Sequence, residues 1–173
     1  AQDANAKAQA DLTAAKNDLA AKQKMADEAA AAKTAAQTAY DSAQAAKTAA
    51  DQAMADAQTA KNNAQDTYDL ITDPTKKAAA EQAVKDAQAV LDAAIDEQNT
   101  ASSQVTSCNN ALRSANEALD SANSAVKTAE QTLIAKQTAE KAAETAETVA
   151  KSALTAQQAA EQKQQDAVSA AVA

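Results

Sequence analysis

The chain has 173 residues and a formal net charge of −8, with no Gly, His, Phe or Trp and a single Pro. Ala accounts for 56 positions, against 23 for Leu, Ile, Val, Met, Tyr and Cys together. Ala is the strongest helix former and Gly and Pro the weakest, so this composition predicts long helices with few turns. It argues against a strand-rich fold, against a globule around a thick core of large side chains, and against the basic stripe that nucleic-acid binding needs.

The first predicted helix covers residues 3–71. Ala29, Ala36, Ala43, Ala50, Ala57, Ala64 and Ile71 recur every seven residues. A second row, four residues earlier, runs Met25, Ala32, Ala39, Ala46, Ala53 and Ala60, with Leu12, Leu19, Tyr40, Met54 and Tyr68 beside the two. Sevenfold recurrence keeps one stripe facing a partner helix. Methyl-sized side chains let the backbones approach closely, so that dense dispersion contacts offset the small area each Ala buries.

A turn is predicted at 72–74. Pro74 lacks an N–H and disfavours helix at the residue before it, yet suits the first position of a new helix with Asp73 as its cap. The second predicted helix covers 74–171. Val84, Leu91, Val105, Leu112, Leu119, Val126 and Leu133 recur by sevens, with Gln98 interrupting. Three residues beyond each lie Ala87, Ala94, Ala101, Cys108, Ala115, Ala122 and Ala129. The Ser/Thr/Asn-rich stretch 99–110 is a weak point for helix, but the repeat passes through it in phase, which predicts one continuous helix. The fold class expected is therefore all-α: a long antiparallel helical hairpin, an alanine-zipper coiled coil broken at Asp73-Pro74, forming one elongated helical domain over 1–173 and assembling into a larger bundle or filament.

Beyond Leu133 the pattern shifts. Glu140 and Glu147 fall where Val and Leu stood, while Ala139, Ala146, Ala153, Ala160 and Ala167 form a new apolar row beside Ala135, Ala142, Val149, Ala156 and Ala170. The packing stripe is expected to rotate near residue 135. Counting back from the turn, the first helix covers the second to about residue 144. The remaining overhang predicts that Ala139, Ala146, Val149, Ala153, Ala160 and Ala167 meet another subunit, because an uncovered apolar stripe marks an interaction site.

No residue constellation points to an enzyme, a cofactor or a metal. Nucleophilic catalysis of the Ser–His or Cys–His kind lacks its base. Phosphate-cradling and calcium loops lack their Gly. One Cys without His gives no zinc spacing. Carboxylate pairs such as Asp92/Asp96 and Glu140/Glu144 lie on helix faces, where a solvated surface is the expectation. Cys108, the only cysteine, belongs on a packing face as a small hydrophobe, with an intermolecular disulfide as the alternative. The apolar runs fall short of a membrane span. The opening Ala1-Gln2-Asp3 suits a mature chain after signal-peptide removal, so a secreted, cell-surface or periplasmic location is expected.

Thr48 and Thr59, eleven positions apart in an Ala-rich stretch, resemble the repeat of the alanine-rich helical fish antifreeze proteins, which would imply ice binding by a Thr/Ala face. The row stops there, with Gln at 37 and Leu at 70. The alanine seam also resembles that of the bacterial murein lipoproteins, although their lipidated N-terminal Cys has no counterpart and their function is not carried over. The reading that best fits the residues is a non-enzymatic structural subunit that self-assembles into an extracellular or envelope fibre, sheath or spacer. Ice binding and a coiled-coil module for a foreign partner are the alternatives. The partner expected is the chain itself, with no nucleic acid and no small-molecule substrate.

Overall fold

The computed structural model describes residues 1–172, with side chains through residue 169. It is an all-α helical hairpin. Helix α1 spans Gln2–Leu70 and helix α2 spans Pro74–Val172, and the two pack against each other. Residues 99–110 are helical throughout. The hydroxyls of Thr100, Ser103 and Thr106 there donate to the carbonyls four residues back, so groups that compete for backbone hydrogen bonds are satisfied within the helix.

The turn consists of Ile71, Thr72 and Asp73, one residue earlier than predicted at its start. No described residue has a positive φ, so the reversal is made without the backbone conformation that normally calls for Gly. Asp73 caps α2. Its Oδ1 accepts from the Thr75 backbone N–H at 2.9 Å and from the Thr75 hydroxyl at 2.6 Å. Pro74 sits at the first helical position, where its missing N–H costs nothing. The Lys77 ammonium lies 4.7 Å from the centroid of the Tyr68 ring, a cation–π contact joining the two helices beside the turn.

Backbone contacts divide the chain into two compact units: residues 29–119, which hold the turn, and residues 1–28 together with the chain from 120 onward. In the turn-bearing unit the core is Ala43, Ala50, Ala57, Ala80, Leu91, Ala94 and Ala101. Ala57, Leu91 and Ala94 cluster, with Met54 packed on them. This contact fixes an antiparallel register in which each seven-residue step up α1 matches a seven-residue step down α2. Ala50 then faces Gln98, Ala43 faces Val105 and Ala36 faces Leu112, while Met54 faces Ala94 and Tyr40 faces Cys108. Every such layer joins a small side chain to a larger one. In the other unit Ala15 and Ala129 are buried, and Leu12, Leu19, Val126 and Leu133 are half-buried.

Two expectations about the seam are corrected. Met25, Ala32, Ala39, Ala46, Ala53 and Ala60 are all exposed. The second row of α1 lies three residues, not four, before the Ala29–Ala64 row, and comprises Leu12, Leu19, Ala26, Lys33, Tyr40, Lys47, Met54, Lys61 and Tyr68, all half-buried. The lysines serve in a seam because their methylene stems lie along apolar surface while the ammonium reaches water, and the register sets Lys47 and Lys61 opposite Ala101 and Ala87. Nor does the stripe of α2 rotate near residue 135. Glu140 and Glu147 stay half-buried in the row that carries Val126 and Leu133, while Ala139 and Ala146 are exposed. At Glu147 the carboxylate is met by the Asn5 amide of α1 and by Lys151 of its own helix.

Candidate functional site

The sequence-predicted seam residues occupy the helix–helix contact. Ala43, Ala50, Ala57 and Leu91 are buried, each between 4% and 6% exposed. Ala29, Ala36, Ala64, Val84, Val105, Leu112, Leu119, Val126 and Leu133 are half-buried. An Ala flanked by one partner helix reaches such low exposure only when that helix comes close, which is the packing that methyl-sized side chains allow. Cys108 is free and half-buried in the small row of α2.

Three polar contacts between the helices anchor the register. In the turn-bearing unit the Gln98 amide donates to Asp51 Oδ1 at 3.0 Å, and Lys47 pairs with the other Asp51 oxygen at 2.6 Å. The Lys47 hydrogen bond, then that of Gln98, holds the Asp51 carboxyl below its usual range. In the unit bearing the chain ends, Lys136 pairs with Asp11 at 3.1 Å, and Lys7 adds a second contact at 3.3 Å. Lys136 and then Lys7 hold the Asp11 carboxyl low. The Asn5 amide donates to Glu147 Oε2 and Lys151 pairs with Oε1. Lys151 first and Asn5 second lower the Glu147 carboxyl, and Asn5 Oδ1 is buried without a hydrogen-bond partner.

Glu147 is the last residue of α2 that α1 covers. From Thr148 to Ser169 every residue is exposed, including Val149 and Val168 at 64% and Leu154 at 56%. The predicted intersubunit residues Ala139, Ala146, Val149, Ala153, Ala160 and Ala167 are all exposed. A groove of about 680 Å³ runs along this uncovered helix, lined by Glu161, Gln164, Gln165, Val168 and Ser169. A second, of about 330 Å³, lies where the start of α1 meets Glu147, Ala150, Lys151 and Leu154. Both are open, and each mixes carboxylate, amide and aliphatic groups.

Thr48 and Thr59 are exposed on α1, and their hydroxyls donate to the Gln44 and Ala55 carbonyls at 3.0 and 2.9 Å. Among the described residues no group of three or more His, Cys, Asp or Glu side chains gathers to hold a metal ion. No described helix is long and apolar enough to cross a membrane. Comparison with known proteins finds no matching family, no matching curated protein and no matching solved structure.

Proposed function

We propose that the chain is a non-enzymatic structural subunit that associates with copies of itself, through alanine-rich helical faces, into a fibre, sheath or spacer outside the cell or in its envelope. One observation carries this reading: α2 continues from Thr148 as helix with no covering element, and it displays Val149, Leu154 and Val168 to solvent. Most helical stability in proteins comes from tertiary packing of one face, and from Thr148 onward α1 supplies none. Exposed aliphatic side chains on an uncovered helix favour association. The seam supplies the chemistry of association, because the small-against-large layers that join α1 to α2 need only helices with heptad-spaced Ala. Exposed Ala rows of that kind recur on α1 at Ala32–Ala60 and on α2 at Ala139–Ala167.

Light scattering and negative-stain electron microscopy of the purified chain test the reading. Concentration-dependent oligomers or extended assemblies are expected. A particle that stays monomeric at every concentration overturns it.

A further inference from the structure

No further inference is drawn: the strongest candidate, the uncovered face of α2 from Thr148 to Ser169 that displays Leu154 and Val168, is half polar, and nothing in the structure shows what covers it.

Discussion

Replacing Ala50 with Leu adds an isopropyl group at a position 4% exposed, on the α1 row that faces α2. The site has no slack: Gln98 stands opposite in register and is itself held to Asp51 at 3.0 Å. The added bulk must push the helices apart locally or adopt a poor rotamer. Overpacking of this kind costs about 1–3 kcal/mol. For a chain of this size each kcal/mol lowers Tm by about 2–4 °C, so a drop of about 2–12 °C is expected. Ala53→Leu is the control. It lies one turn away on an exposed row, Leu is nearly as good a helix former as Ala, and the change should stay within about 0.5 kcal/mol. Ala43→Leu should match Ala50→Leu, and the two should add, because about 10 Å of helix separates them. Thermal melts by circular dichroism read all four variants. An unchanged Tm for Ala50→Leu, or an equal loss for Ala53→Leu, refutes close packing along this row.

Leu91→Ala should cost about 2–3 kcal/mol in chemical denaturation, toward the lower part of the range for buried Leu because the facing Ala57 lets the gap partly close. Gln98→Leu completes the apolar row and should raise stability by about 1 kcal/mol, while removing the hydrogen bond to Asp51 that favours one register. A Tm rise together with broadened amide resonances is the expected signature. Acid should loosen the contacts near Asn5 and Asp11. The Asp11 and Glu147 carboxyls are depressed in the fold, so their contribution is fully present above their ordinary values and is lost as pH falls through the lowered folded ones. Solvent screening keeps this effect small. Amide protection near Leu12, corrected for intrinsic exchange, should fall between about pH 6 and about pH 3, and the fall should vanish in Asp11→Asn with Glu147→Gln.

The hairpin was legible because its signals are strong and local. Pro74 and Asp73 mark the one reversal, and seven-residue spacing from Val84 to Leu133 marks one face of α2. What misled was the alanine content of α1. With Ala on nearly every face, Ala32–Ala60 looks as fit for a seam as Ala29–Ala64, and the choice rests on which row the larger residues accompany. Tyr40, Met54 and Tyr68 pointed to the correct one, but Lys33, Lys47 and Lys61 between them disguised it, because a lysine's buried stem is invisible in a polar/apolar pattern. Glu140 and Glu147 misled in the same way. The partners of Glu147 are Asn5 and Lys151, and its pairing with Asn5 spans 142 residues of sequence. The uncovered stretch from Thr148 was anticipated within a few residues, since it follows from the unequal helix lengths that the position of Pro74 dictates.

The small-against-large register of α1 on α2 is the physical basis for everything else, and methyl-resolved NOE spectroscopy tests it most directly. Cross-peaks are expected between the Ala57 and Leu91 methyls and between the Ala43 and Val105 methyls, with none from Ala46 or Ala53 to α2. Strong contacts from Ala46 and Ala53 to α2, with Ala43 and Ala57 silent, would contradict the account.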